Sequence, residues 1–323
     1  MSEPPSAELD IEHLDDIAEA VRNGKCLLFL GAGVHRPPGA KPPESLRWAY
    51  PENQRPPIGI ELARHLWERG RLGDTFPREK CNLGNLGRIS MLFEIRKGRN
   101  ALVKEILAAV DKGEYRGVVR QTKPSPALRA LAEMPFPLVI TTNYDQLFER
   151  ALPSAKKPQG GIYQTNKPPK RIETTDIETA PDPSRPFIYK LHGDISQRDS
   201  LVVTDEDYIH FILRMSDPEK FHPIPGIFRE HFKEWPTLFI GYSLLDYNMR
   251  VLVRTWRWQL DPAVYPNMYS VGPSPDPLVK YSYAEGPNRL VWFVVEDLWK
   301  FIPALYERVM KKPMPSYDDP VAE

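Results

Sequence analysis

Short apolar runs recur along the chain, and each of them ends in small or polar residues. Most of the runs are continuous and do not alternate with polar positions, which is typical of strands that helices cover on both faces of a parallel sheet. This pattern predicts six strands, at residues 25–30, 138–142, 187–191, 237–240, 267–271 and 290–295.

Helical patterns fill the stretches between these strands. Apolar residues at positions 11, 14, 17, 18 and 21 form one face of a helix over residues 11–22. Further helices are predicted at residues 60–69, 89–97, 101–110, 144–152, 206–213, 227–234, 245–256 and 298–310, and Thr204 with Asp207 resembles a capping box. The alternation predicts an α/β fold, a Rossmann-like, doubly wound and mainly parallel sheet with a mostly helical insertion at about residues 58–133.

Proline is unusually frequent, with 35 residues in a chain of 323, about twice the usual share of roughly 5%. Many prolines cluster at about residues 36–57 and 166–186. Because proline fixes φ and has no amide hydrogen, these segments are predicted to be loops. They can be stiff surface loops or a lid over a site. We expect one domain over residues 1–310 and a mobile tail over residues 311–323.

Charge and cysteine content narrow the class of protein. Lys plus Arg and Asp plus Glu both number 43, so no net charge favours binding to nucleic acid or to an anionic membrane. The N-terminal segment is acidic and does not resemble a secretory signal, and no apolar run could span a bilayer, so we expect a cytoplasmic protein. Cys26 and Cys81 are the only cysteines, too few for a four-thiolate zinc site, and no metal is predicted.

Glycines and polar residues follow four of the predicted strands, at the edge where open α/β sheets bind ligands. These motifs are Gly31-Ala32-Gly33, Thr142-Asn143-Tyr144-Asp145, His192-Gly193-Asp194 and Gly241-Tyr242-Ser243.

The glycine loop can serve a ligand or be a plain tight turn. Without a Cβ, Gly31 and Gly33 let the backbone approach a pyrophosphate and leave amides free to donate. The full G-x-G-x-x-G pattern is not met, because Arg36 stands at its last position, and an acidic residue about 20 positions on is not evident. An ordinary NAD-dependent dehydrogenase is therefore not supported.

The polar residues after the next strands are candidates for catalysis. Asn143 can be a helix cap, but two threonines, an asparagine and Asp145 leaving a buried strand are more polar than a cap requires. His192 can be structural, or it can take a proton at cellular pH, with Gly193 leaving room for a substrate beside the imidazole. His35 is a second candidate histidine. Ser243 can cap the following helix, contact the adenosine half of a dinucleotide, or do both.

Taken together, these motifs resemble the sirtuin superfamily, and most closely the divergent sirtuin-like domains of bacterial antiphage systems. The order is G-A-G, then I-T-T-N-Y-D, then K-L-H-G-D, then G-Y-S-x-x-D-x-N, over roughly residues 25–260. The four-cysteine zinc module of deacylating sirtuins is missing, and His35 stands where a serine is usual. The resemblance thus implies an enzyme that hydrolyses NAD+ to nicotinamide and ADP-ribose. A protein deacylase or ADP-ribosyltransferase, and a non-catalytic nucleotide-sensing subunit, remain as alternatives.

The resemblance also implies roles for individual residues. Asn143 would hold the nicotinamide ribose or position water, Asp145 would shape the nicotinamide pocket, and His192 would be the base. Contacts with NAD+ are implied for Gly31, Ala32, Gly33, His35, Thr142, Gly193, Gly241, Ser243, Asp246 and Asn248. The family further implies a homo-oligomer that depletes NAD+ when a separate sensor protein detects infection. Because little chain follows residue 260, we expect that sensor to be a separate protein. A HerA-type ATPase is favoured over a short Argonaute, because it fits a chain with only a sirtuin-like domain better.

Overall fold

A computed structural model describes residues 11–38, 49–163, 182–216, 226–242, 244, 266–284 and 291–315 of the chain. Its main feature is a sheet of seven parallel strands in the order β5-β6-β4-β1-β7-β8-β9. The strands of this sheet are β1 (Leu27–Leu30), β4 (Leu138–Thr141), β5 (Gln159–Ile162), β6 (Phe187–Lys190), β7 (Thr237–Ile240), β8 (Met268–Val271) and β9 (Trp292–Val294). A separate antiparallel hairpin is formed by β2 (Lys112–Tyr115) and β3 (Val118–Gln121).

Helices cover both faces of the sheet. In the described part of the chain they are α1 (Leu14–Arg22), α2 (Gly59–Gly70), α3 (Leu86–Lys97), α4 (Arg99–Val110), α5 (Pro126–Glu133), α6 (Leu147–Ala151), α7 (Asp205–Ser216), α8 (Gly226–His231), α9 (Pro277–Ala284) and α10 (Leu298–Met310). This architecture confirms the predicted Rossmann-like α/β fold.

The central strand β1 is buried on both sides, as its continuous apolar sequence predicts. Leu28 and Leu30 point to a core that contains α1, α5, α6 and α10. Leu27 and Phe29 point to the opposite core, which contains α7, α8 and α9. Successive side chains of a strand face opposite sides, so a run of four apolar residues supplies both layers.

The helices α2, α3 and α4 form a module with its own hydrophobic core, together with the β2–β3 hairpin. Tyr144, Ile195, Leu201 and Val203, which follow β4 and β6, belong to the same core. Arg99 also joins the module to the sheet domain, because its guanidinium donates to the Leu201 carbonyl and to the Asp207 carboxylate. The module therefore rests on the loops at the carboxyl edge of the sheet.

The structure corrects several predicted boundaries. The helix expected over residues 144–152 begins only at Leu147, because residues 143–146 form the polar loop after β4. Strand β5 and the hairpin were not predicted. Met314 is buried in the sheet core, so the mobile tail does not begin at residue 311. Cys26 is fully buried, whereas Cys81 is only partly buried.

Some predictions lie outside the described residues, namely the helix at 245–256 and parts of both proline-rich loops, residues 39–48 and 166–181. Of the helices that the structure describes, none is long and apolar enough to cross a membrane.

Candidate functional site

The loops after β1, β4, β6 and β7 meet at one edge of the sheet. The parallel register brings the last residues of these strands side by side, with Leu30 between Thr141 and Ile240, and Lys190 beyond Thr141. The strand order reverses at β1, since β4 lies on one side of it and β7 on the other. Such a switch point is where open α/β sheets bind ligands.

The glycine loop after β1 is held against the loop after β7. Gly31 donates its amide hydrogen to the Ile240 carbonyl at 2.9 Å, and Gly33 donates to the Gly241 carbonyl at 2.9 Å. A Cβ on Gly31 would lie 2.5 Å from the Gly241 oxygen, and Gly241 has φ +70°. The expectation that both amides are free to donate to a ligand is therefore wrong, because the glycines serve close contact between two loops.

His35, Asp145 and Asn143 form a buried polar cluster beside this loop contact. His35 Nε2 lies 3.1 Å from Asp145 Oδ2, and the Asn143 amide nitrogen lies 3.4 Å from the same ring nitrogen. Since a carboxylate only accepts hydrogen bonds, the Asp145 contact assigns a hydrogen to Nε2, and the 3.4 Å approach of the Asn143 amide nitrogen is then a packing contact and not a hydrogen bond. His35 Nδ1 and Asn143 Oδ1 are buried and have no hydrogen-bond partner within the described residues.

Asp145 connects the cluster to the start of α6. Its second oxygen accepts the amide hydrogen of Leu147 at 2.9 Å at the start of α6. Burial alone would raise the pKa of this carboxyl group, but the charge and hydrogen bond of His35, and then the Lys190 ammonium and the Leu147 amide, lower it to about 2. Asp145 is thus ionised at neutral pH. Asn143 does not cap α6; its backbone amide donates to the Thr141 hydroxyl at 3.0 Å.

Lys190 is a site residue that sequence reasoning did not single out. Its buried ammonium group lies 3.2 Å from Asp194 Oδ2 and 3.5 Å from Glu149 Oε1, and it donates to the Asp145 carbonyl oxygen. Burial raises the pKa of Glu149. The available signal was a charged residue that ends an otherwise apolar run directly before Leu191 and His192.

His192 follows β6 and is buried between aromatic rings. Its ring centroid lies 5.2 Å from that of Tyr208 and 5.4 Å from that of Phe211, both on α7. The adjacent Gly193 has φ +85°, and a Cβ there would lie 2.2 Å from the Ser200 carbonyl oxygen. The expectation that this glycine leaves room for a substrate is wrong on the Cβ side, because the Ser200 backbone occupies that space.

A small cavity of about 10 Å³ lies under the cluster. Its polar lining comes from Thr141, Asn143, Asp145, Glu149 and Lys190. This volume holds about one water molecule, and five polar side chains around it could bond such a molecule. Within the described residues, no three His, Cys, Asp or Glu side chains come together as metal ligands would.

Comparisons with known proteins relate this edge of the sheet to a family. Residues 137–289 match the SIR2-like domain family. The chain is 25% identical over 236 residues to the NAD(+) hydrolase ThsA of Acinetobacter baumannii, which is 73% of this chain and 40% of that protein. It is 26% identical over 247 residues to ThsA of Bacillus cereus, covering 76% and 42%. It is 24% identical over 272 residues to defense-associated sirtuin 2 of Bacillus subtilis, covering 83% and 23%.

Residues 137–289 of this chain are thus similar to a SIR2-like domain, and the three relatives extend the similarity over about three quarters of the chain or more. The resemblance to sirtuin-like domains of antiphage systems is confirmed, although the chain spans less than half the length of each of these relatives.

The matched segment of the SIR2-like domain contains β4, β6 and β7 with their loops, so Asn143, Asp145 and His192 lie inside it. The glycine loop and His35 precede it in the chain, and the His35–Asp145 contact joins the two parts. Thr142 is half-buried and donates its amide hydrogen to the Leu30 carbonyl at 3.2 Å, and Ala32 begins the short helical turn Ala32–His35. The predicted contacts Ser243, Asp246 and Asn248 lie outside the described residues.

Proposed function

We propose that the chain is an NAD+ glycohydrolase, which cleaves NAD+ to nicotinamide and ADP-ribose and depletes NAD+ in an antiphage defence system. The observation that carries the proposal is the buried polar cluster at the switch point of the sheet. Asn143 Oδ1 and His35 Nδ1 are buried without a hydrogen-bond partner in the described part of the chain. Buried polar atoms are costly to leave unpaired, so the cluster suits a polar ligand that would complete it. The relatives named NAD(+) hydrolase support NAD+ as that ligand.

The proposed reaction needs little acid catalysis. The bond from the ribose carbon to the nicotinamide nitrogen breaks, and its electron pair neutralises the positively charged ring of the leaving group. The ribose becomes oxocarbenium-like, and water attacks the opposite face, so that NAD+ and water give nicotinamide, ADP-ribose and a proton. Fixed dipoles and charges that favour the cationic sugar would lower the barrier, as they do in glycoside hydrolysis.

The residue roles follow from this chemistry. Asn143 is proposed to hold the nicotinamide ribose or the attacking water through its unpaired carbonyl oxygen. His192 is proposed to be the base that accepts the proton of that water or of a ribose hydroxyl. The sequence predicts Asp145 as a catalytic residue. Because both of its carboxylate oxygens already have hydrogen-bond partners, His35 and the Leu147 amide, we propose that Asp145 acts as a positioning residue through His35. The ionised carboxylate fixes the ring so that Nδ1 stays available.

The remaining NAD+ contacts are proposed from the sequence motifs. They are Gly31, Ala32, Gly33, Thr142, Gly193, Gly241, Ser243, Asp246 and Asn248. The amides of Gly31 and Gly33 already donate to backbone carbonyls. We therefore propose that the glycine loop packs against NAD+ in van der Waals contact and does not bind it through these two donors.

The test is NAD+ turnover by the purified chain, with chromatography of the products. Asn143→Ala and His192→Ala should each lower turnover by at least about 100-fold, the usual scale for a lost base or polar contact in the transition state. Matched controls are Asn100→Ala and His210→Ala, which alter exposed residues on α4 and α7 and should keep wild-type turnover. Wild-type turnover in His192→Ala would contradict the assignment of the base.

Two further arms separate the alternatives. NAD+ consumption that requires an acetyl-lysine peptide would favour a deacylase over a hydrolase. Binding of NAD+ without turnover by the wild type, even with partner proteins present, would favour a nucleotide-sensing subunit.

We also propose that the chain works in the cytoplasm as a homo-oligomer and that a separate protein senses infection, with a HerA-type ATPase favoured over a short Argonaute. This rests on the resemblance to antiphage domains. Light scattering of the purified chain and identification of proteins that co-purify with it test the proposal. A fully active monomer that needs no partner would contradict it.

A further inference from the structure

The helical module has a groove that is formed by side chains of α2 and of the segment that joins α2 to α3. It encloses about 270 Å³. Three arginines line it, namely Arg64 on α2, Arg71 at the end of α2 and Arg78 in the connecting segment, with Trp67 and Leu83 as its apolar wall. It shares no residue with the cluster around Asn143.

The charges in this groove are not balanced. Two carboxylates line it, but each of them is paired with an arginine outside the groove lining: Glu68 with Arg116 at 3.6 Å, and Asp74 with Arg96 at 3.3 Å. By contrast, Arg64, Arg71 and Arg78 have no ion pair to any carboxylate in the described part of the chain. The groove therefore presents three arginines without an ion pair in the described residues, beside two carboxylates that are paired with other arginines.

The surrounding module has the same bias. Residues 58–123 contain fourteen Lys and Arg residues and only eight Asp and Glu residues, whereas the whole chain has 43 of each. The positive charge of the module is therefore offset by negative charge elsewhere in the sequence. A low-dielectric wall beside clustered charges concentrates the potential, which raises the local concentration of an anion.

From this geometry we propose that the groove binds a small molecule that carries phosphate groups and has at most the size of a nucleotide. Guanidinium groups present planar forks of donors that match phosphate oxygens, and three of them around one groove suit a di- or triphosphate. The volume lies just below the usual range of roughly 300–1,000 Å³ for small-molecule sites, which limits the occupant to a compact ligand.

The backbone of the connecting segment contributes to this fit. Gly73 faces the Trp67 indole, since a Cβ there would lie 3.7 Å from the ring. Trp67 is only 8% exposed, so this part of the apolar wall offers no open face for stacking a row of bases. An extended nucleic-acid strand, which needs several such platforms, fits the groove less well than a single phosphate-bearing molecule.

Calorimetric titration of the full chain with inorganic pyrophosphate and with ATP tests the proposal. The wild type should bind at least one of them saturably, with a Kd below about 1 mM. The double variant Arg64→Gln, Arg78→Gln should bind at least about tenfold more weakly, whereas Arg64→Lys, Arg78→Lys should lose less because the charge remains without the fork. Arg71 is left unchanged because its φ is +50°.

A matched control removes the same charge from another face of the module. Lys97 and Lys104 are exposed and do not line the groove, and Lys97→Gln, Lys104→Gln should bind within about twofold of the wild type. Equal weakening in both double variants would overturn the proposal, because it would show only attraction by net charge. Absence of saturable binding by the wild type would also overturn it.

Two more arms locate the site and the ligand class. Asn143→Ala should retain the binding of pyrophosphate, and its loss there would assign the anion to the candidate active site and overturn the proposal. A single-stranded oligonucleotide that binds more tightly than ATP, and loses binding in the arginine variant, would overturn the choice of a small molecule. NAD+ turnover is measured separately, so a failure of this proposal is distinguishable from a failure of the proposed function.

Discussion

Asparagine in place of Asp145 would remove one negative charge from the buried cluster and leave its shape almost unchanged. The amide oxygen of the substituted residue could still accept the Leu147 hydrogen bond, but His35 and Lys190 would lose the charge that faces them. Asn is close in size to a protonated Asp. The variant therefore imitates the folded protein with this one carboxyl group neutral.

The pKa of Asp145 gives the size of the effect. It falls from 3.8 to about 2 in the folded protein. At about 1.4 kcal/mol per unit, the cluster favours the carboxylate over the neutral acid by about 2 kcal/mol relative to the unfolded chain. We therefore expect Asp145→Asn to lower the free energy of unfolding by about 2 kcal/mol at neutral pH.

The pH dependence of this loss has a definite sign. A carboxyl group whose pKa is lowered by folding stabilises the protein fully above its unfolded pKa of 3.8. That contribution disappears as the pH falls through the folded pKa of about 2, because the wild-type group is then protonated in both states. The difference between wild type and Asp145→Asn should shrink below about pH 4.

Urea unfolding followed by tryptophan fluorescence measures this difference at each pH. The matched control is Asp111→Asn, which makes the same change in an ion pair of 2.9 Å with Arg150 whose side chains are 27% and 39% exposed. Exposed pairs contribute little, so the control should lose less than about 1 kcal/mol. Equal losses in the two variants, or a difference for Asp145→Asn that does not shrink in acid, would refute the reasoning.

Three other substitutions test the fold around the site, each by chemical or thermal unfolding. Gly241→Ala should lower the free energy of unfolding by at least about 3 kcal/mol, because its Cβ would lie 2.2 Å from a backbone nitrogen of the facing loop. Gly117→Ala, at φ +77° but with no atom nearby, should lower it by about 1 kcal/mol. Equal losses would show that only the backbone angle matters. Lys190→Met should lower the free energy of unfolding by about 3 kcal/mol or more, since it leaves the buried Asp194 carboxylate without its cation, and Lys97→Met should stay within about 0.5 kcal/mol of the wild type. Similar losses in the two variants would contradict the buried role of Lys190. Thr204→Ala should lower the free energy of unfolding by about 1 kcal/mol, because the Thr204 hydroxyl accepts the Asp207 amide hydrogen at 3.2 Å at the start of α7. An unchanged midpoint of unfolding would mean that water replaces this cap.

Much of the fold could be predicted because the period and length of apolar runs determine buried strands and amphipathic helices. Strand β7 and helix α10 have the predicted ends, the helix even with Pro303 inside it. Strand β5 was missed because its sequence Gln-Gly-Gly-Ile has no apolar run, and the strand exists only because β6 beside it supplies the hydrogen bonds. The hairpin β2–β3 was missed for a similar reason, since most of its residues are exposed.

The candidate site was predictable in its parts and less so in its contacts. The motifs that end four strands identified Asn143, Asp145 and His192, because parallel strands bring their carboxyl ends together. Which atoms meet depends on residues far apart in sequence. Lys190 matters because Glu149 and Asp194 surround it, and no local pattern reveals that.

The position of β1 in the sheet has a consequence for the synthesis of the protein on the ribosome. Residue 27 of β1 pairs with residue 138 of β4 and with residue 237 of β7, 111 and 210 positions later. Translation at about 5–20 residues per second separates the emergence of β1 from that of β7 by roughly 10–40 seconds. During this interval the central strand has an open edge, and the glycine contact that closes the site cannot form. The nascent chain therefore cannot assemble the candidate site before β7 has been translated.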